Sequence, residues 1–148
     1  MHLYFKNVPK RWNESDLRSA INFYADILFT KSVRKKLHIY FEFIHFGDRA
    51  EEEADIGRDS KYEYTICLSK NIKKKRILLE LIAHEMTHAA QHVSGRLRDL
   101  SSSRSSFDGR SYNIDSMDYW DLPWEIEAYG KAVGLYARFE RAMQDDTV

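Results

Sequence analysis

The alternation of apolar and polar positions divides the chain into elements before any chemistry is considered. Residues 13–31 place Leu17, Ala20, Ile21, Tyr24, Ile27 and Leu28 at helical spacing, with Asn13 or Ser15 positioned to cap the first turn. The period then changes to two. Leu37, Ile39, Phe41 and Phe43 alternate with His38, Tyr40, Glu42 and Ile44, which predicts a strand of roughly ten residues with one buried face. The acidic stretch 47–60 has neither period and is expected to be a loop or a short exposed turn. Residues 61–70 resume period two, with Tyr62, Tyr64, Ile66 and Leu68 on one side of a second strand.

From about Lys73 to Ser94 the pattern returns to 3.6, and Gly95 just beyond is a natural helix stop. A serine-rich loop follows. Asp108-Gly109 lies between Phe107 and Tyr112 as a hairpin turn signal. Asp121 and Pro123 mark the start of a last helix running to about Met143. No element is assigned before residue 13. Helix, two strands, helix, hairpin and helix make an α+β domain. A small mixed or antiparallel sheet would pack with an N-terminal helix, a long middle helix and a C-terminal helix.

The middle helix departs from a simple two-faced pattern. On a wheel of about 100° per residue, Leu78, Ile82, Met86, Ala89 and Val93 form a wide apolar face. Arg76, Glu80, Thr87, Gln91 and Ser94 form a polar one. Between them runs a third strip that carries His84 and His88, with Glu85 and His92 at its edge. Residues four apart point the same way one turn on, so His84 and His88 can converge on one cation. Glu85 can lean over that cation without ligating it and act as general base. The plain structural alternative is two partly buried histidines beside a solvent-facing glutamate. His92 is also spaced four from His88, but it stands about 12 Å along the axis from His84 and lacks a glutamate in the matching place. Packing or a pocket wall is its expected role.

A zinc site that keeps one position open for water needs a third protein ligand. No histidine occurs after position 92, and His2, His38 and His45 carry no motif. The remaining candidates are carboxylates in "DLPWEIEAYG". Glu125 and Glu127 point to nearly opposite sides of the last helix, so only one can reach the ion. Glu127 shares its side with Gly130 and Gly134, where small residues would let two helices approach, and it is favoured. Glu125 is the alternative, and a Glu127–Lys131 pair on an exposed face is the competing reading of Glu127.

"AHEMTH" followed by "PWEIEAYG" resembles the gluzincin type of zinc metallopeptidase. More narrowly, residues 60–140 resemble small phage and bacterial metallopeptidases of the SprT-like or minigluzincin-like kind. The resemblance implies a Zn2+ held by His84, His88 and Glu127, with Glu85 as the catalytic base. The expected activity is hydrolysis of peptide bonds by zinc-activated water. A peptide or protein substrate would pair with an exposed strand edge, for which residues 62–69 are the expected site. Tyr112, Tyr119 and Tyr129 are the candidates for stabilising the oxyanion. Two rival readings are a non-catalytic, metal-stabilised binding module and a nucleic-acid-associated SprT-like peptidase.

Composition narrows the field further. The 148 residues fit one metallopeptidase-like domain over 1–148. With 23 basic and 23 acidic residues the formal net charge is zero, which gives no strong signal for nucleic acid or an anionic membrane. The lone Cys67 forms no intrachain disulfide and, in "YTICLS", is expected to be a buried strand residue. No segment has the length or apolarity of a membrane span, and the first ten residues lack the apolar run of a signal peptide. The expected location is cytoplasmic.

Overall fold

The computed structural model describes residues 1–47 and 53–145. Its main sheet contains β1 (His2–Lys6), β2 (His38–Ile44), β3 (Ala54–Ser60) and β4 (Glu63–Ser69), in the order β1-β2-β4-β3. The first three neighbours run parallel, and β3 lies antiparallel to β4 at the edge. The mixed α+β architecture is thus the expected one. Two strands of this sheet were absent from the sequence reading. β1 is short and pairs with β2 residue for residue from His2–His38 to Lys6–Glu42. β3 occupies the second half of the acidic stretch expected to be a loop; residues 48–52 of that stretch lie outside the described residues.

Strand β2 behaves as its alternation requires. Leu37, Ile39, Phe41 and Phe43 are all buried, and Tyr64, Ile66 and Leu68 of β4 join them on the same face. Cys67 points the other way and is half-buried. Helices α1 (Glu14–Leu28) and α3 (Lys75–Val93) cover the apolar face. The side chain of Asn13 accepts the Asp16 amide and caps α1, and Glu14 and Asp16 lie favourably in its first turn. The helix stops at Leu28 rather than Lys31. Thr30 then caps a separate short helix, α2 (Lys31–Lys36), by accepting from the Val33 amide. Helix α4 (Pro123–Asp145) packs along α3 and reaches α1, where Phe139 meets Phe23 and Tyr24 edge-on.

Between α3 and α4 a second sheet forms from β5 (Leu97–Asp99), β6 (Arg104–Phe107) and β7 (Arg110–Asn113), all antiparallel. Gly95 ends α3 at φ +77°, which a residue with a Cβ adopts only with strain. The expected hairpin turn is present: Asp108 and Gly109 both take positive φ, 51° and 82°, the conformation favoured in tight two-residue turns. Leu97, Phe107, Leu122 and Trp124 form a smaller core beneath this sheet.

Helix α3 is buried nearly all round, because the main sheet, β3, α4 and β5 each cover part of it. Thr87 and Gln91, read from the sequence as part of the polar face, are both 1 % exposed. Thr87 is satisfied by donating to the Ala83 carbonyl at 2.8 Å, and Gln91 is drawn into the network described below.

The shared core makes a stability prediction. Phe41 is 1 % exposed at the centre of the sheet, so Phe41→Ala should destabilise the fold by about 3–5 kcal/mol. Urea unfolding followed by circular dichroism would show it as a lower midpoint.

Candidate metal centre

Three ligand-type atoms meet between α3 and α4. His84 Nε2 and His88 Nε2 lie 3.1 Å apart, and Glu125 Oε1 lies 3.1 Å from the first and 2.7 Å from the second. All three residues are buried. His84, Glu85 and His88 also form a group whose ligand atoms lie within 4.8 Å of one another, and such a group could hold a metal ion. The edges of a tetrahedral zinc site with bonds of about 2.0–2.1 Å are about 3.3–3.4 Å long; the two 3.1 Å spacings approach that length, and the His88–Glu125 spacing of 2.7 Å is shorter.

The hydrogen bonds around His88 sharpen the test of fit. Gln91 Nε2 donates to the Trp124 carbonyl at 3.0 Å and to Glu127 Oε1 at 3.2 Å. The amide is thereby oriented with its Oε1 toward His88 Nδ1, 2.8 Å away, and that oxygen can only accept. Nδ1 therefore carries the hydrogen. In a neutral imidazole this leaves Nε2 as a lone pair, facing a carboxylate oxygen 2.7 Å away. Two acceptors that close need a positive charge between them, either a proton or a metal cation. A ligand imidazole that donates its other N–H to a neighbouring oxygen is the usual arrangement at metal sites. The donor set and the outer hydrogen bond of His88 fit a metal cation, while His84 Nδ1 is buried without a hydrogen-bond partner among the described residues.

Charge state follows from the same packing. Burial pushes Glu125 up, but hydrogen bonds from His84 and His88 outweigh it and bring its pKa down to about 2. Burial alone would lower His88, yet its bond to Glu125 turns the shift upward. Glu85 is dominated by burial, only partly opposed by the two imidazoles, and its pKa rises to about 7. That places its proton exchange near neutrality.

Glu127, the favoured third ligand from sequence, is not brought to the histidines. Its carboxylate accepts two hydrogen bonds from Arg96, at 2.9 and 2.7 Å. The same guanidinium holds Asp108 at 2.8 and 3.1 Å. The glycine argument selected the wrong stripe. Gly130 and Gly134 face open space, whereas the side of α4 that approaches α3 carries Glu125, Ala128, Ala132 and Leu135. Alanines three and seven residues after Glu125 were the available signal. Gln91 was missed as a partner of the site; its position three residues after His88 was the clue.

A cleft of about 580 Å3 opens beside His84 and Glu85, with Glu53, Ala54, Ile77, Leu81, Tyr119 and Tyr129 among its walls. The Tyr129 ring lies 4.4 Å from the His84 ring, centroid to centroid, and its hydroxyl is 3.2 Å from that of Tyr119. Burial, followed by contact with Tyr129 and Glu125, raises the Tyr119 pKa and keeps its proton in place. Tyr112 is elsewhere, packed on Trp124 in the smaller core. His92 lines a separate, smaller cavity. Residues 62–69 are not a free edge, because β4 lies between β2 and β3; the edge strand nearest the cleft is β3.

Comparison with known proteins finds no matching family model, no matching curated protein and no matching solved structure. Among the described residues, no helix is long and apolar enough to cross a membrane.

The Arg96 clamp predicts a pH-dependent stability. Hydrogen bonds from Arg96 lower the pKa of both Glu127 and Asp108 below ordinary carboxylate values. A depressed folded-state pKa stabilises the fold above the unfolded value, near pH 4–4.5, and that stabilisation is lost as pH falls through the folded value. Arg96→Ala should lower the melting temperature by a few degrees near neutrality. The gap to wild type should close in scans taken progressively below about pH 4.

Proposed function

We propose that this chain is a zinc-dependent metallopeptidase in which His84, His88 and Glu125 hold the ion and Glu85 is the general base. The observation that carries the reading is the buried meeting of His88 Nε2 and Glu125 Oε1 at 2.7 Å, with His88 Nδ1 already engaged by Gln91. Glu85 supports catalysis over a purely structural site. It is 6 % exposed, lines the cleft and, among the described residues, has no hydrogen-bond partner that would give it a structural purpose. Burying an unpaired carboxyl is costly, and a general base near neutrality is the use that fits it.

When bound, the ion would supply Lewis acidity toward a carbonyl oxygen and toward water. The residues do the rest. Glu85 takes a proton from the attacking water and returns it to the nitrogen of the departing amine, so the scissile C–N bond breaks without release of an unstable amide anion. The hydroxyls of Tyr119 and Tyr129 stand at the cleft wall, where one of them can donate to the oxygen that gains charge in the tetrahedral intermediate. Gln91 fixes the His88 ring through Nδ1. Along β3, the last strand of the main sheet, the outer edge offers backbone groups to an extended peptide.

Metal content and turnover separate the residue roles. Purified protein should bind about one equivalent of zinc, measured by mass spectrometry under native conditions. His84→Ala and Glu125→Gln should each reduce occupancy by at least tenfold, whereas Glu127→Gln should keep it. Glu85→Gln should keep zinc and lower cleavage of an unstructured protein by about 100-fold or more. A zinc-loaded wild type that cleaves no peptide, but unfolds on chelation, would favour a metal-stabilised binding module instead.

A further inference from the structure

The second cavity, about 320 Å3, lies at the far end of β3 from the cleft and is lined by Arg58, Lys61, His92 and Arg98 with the end of α3. Its lining holds three permanent cations and no carboxylate. Arg58 shares a strand face with Ala54 and Ile56, which pack toward α3, so its side chain is directed to the helix side. Asp59, on the opposite face, is occupied in accepting from Thr65 at 2.7 Å. Arg98 is folded back so that its Nε donates to the Gly95 carbonyl at 3.1 Å. A Cβ on Gly95 would stand 3.2 Å from Arg98 Nη2, so the glycine also makes room for the guanidinium. Asp99, outside the lining, acts on His92.

The cavity and the metal centre share two elements. Along α3 the step from His84 to His92 is about 12 Å, and along β3 the step from Ala54 to Arg58 is about 13 Å. An extended chain laid on the β3 edge covers that distance in about four residues. The cleft end has the opposite charge, since Glu53, Glu80 and Glu85 line it.

We propose that the Arg58–Lys61–Arg98 cavity is a carboxylate-binding subsite, which selects extended peptides carrying an acidic group about four residues from the bond cut at the metal centre. This inference rests on the peptidase reading for the position of the cut, but the subsite itself can be tested without turnover. The carboxylate can come from an aspartate or glutamate side chain or from the peptide's own C-terminus. Three cations around one cavity attract either form, and the guanidinium of Arg58 or Arg98 can grip it through two parallel hydrogen bonds.

Binding is measured with zinc-loaded Glu85→Gln protein, which holds peptide without cutting it, by fluorescence anisotropy at low and at physiological salt. Three labelled octapeptides serve as probes: one with an internal glutamate and an amidated C-terminus, one with glutamine there and the same amide, and one with glutamine and a free C-terminus. A carboxylate in either place should tighten binding at least tenfold over the neutral peptide, and the stronger of the two identifies its source. Adding Arg58→Gln and Arg98→Gln should erase that ratio. Adding Arg58→Glu and Arg98→Glu should reverse it in favour of a lysine-bearing octapeptide. Equal affinity for all three probes, or a ratio that survives the glutamine pair, overturns the subsite. In parallel, wild-type digestion of a peptide library should place a carboxylate, from an acidic side chain or from the C-terminus, about four positions from the cut. Cleavage with neither preference also overturns the subsite. A carboxylate preference in binding with no cleavage at all overturns the peptidase reading and leaves the subsite standing.

Discussion

Burial of α3 on nearly every side is the constraint from which the rest of the site follows. A helix packed between a sheet and another helix normally satisfies its surroundings with apolar side chains. This one buries His84, Glu85, Thr87, His88 and Gln91 as well. Each of these groups loses water on folding and must recover hydrogen bonds or ionic contacts inside the protein. Thr87 does so locally, through the Ala83 carbonyl. His88 does so at Nδ1 through Gln91, whereas His84 Nδ1 has no partner among the described residues, and both Nε2 atoms face one another and a carboxylate from α4. The site is stable only when positive charge occupies the space between them, and whether protons or a cation supply it is a matter of conditions rather than of fold.

The same constraint explains the small second sheet. Gln91 fixes the His88 ring, but its own amide is fixed by Trp124 and Glu127 on α4. Glu127 is in turn held by Arg96, which lies immediately before β5 and also grips Asp108 at the β6–β7 turn. A line of hydrogen bonds therefore runs from a ring nitrogen at the centre to a hairpin at the surface. Arg96 also stacks over Phe107, 5.0 Å from the ring centroid, and so ties the polar line to the smaller apolar core. The second sheet does not line the cleft. Its contribution to the site is to set the position of α4, and thereby of Glu125, relative to α3.

Much of this was legible in the sequence, and the failures have identifiable causes. Period-two alternation located β2 and β4 and their buried faces, because both are covered on one side only. The Asp108-Gly109 turn was legible because positive φ at two successive residues restricts what can stand there. The histidine pair was legible because four-residue spacing on a helix fixes direction. β1 and β3 were missed for opposite reasons: β1 is short, and β3 is an acidic edge strand whose exposed end shows no alternation. The choice between Glu125 and Glu127 failed because helical periodicity says which residues share a side but not which side meets the neighbour. Two stripes of small residues were present on α4. Only tertiary packing distinguished the alanines that approach α3 from the glycines that face solvent.

Charge along β3 connects the fold to the proposed chemistry. The chain as a whole is neutral, and a whole-molecule count therefore gave no reason to expect a charged ligand. Locally the strand joins an acidic cleft to a cationic cavity, and the two ends are separated by more than the roughly 8 Å over which salt screens exposed charges. Each end then acts on whatever lies next to it, not on the average of both. An extended peptide is a ligand long enough to meet both ends at once, and a free edge strand is the element that would keep it extended. Neutral overall charge and strong local charge are compatible because the sheet spaces the charges apart instead of mixing them.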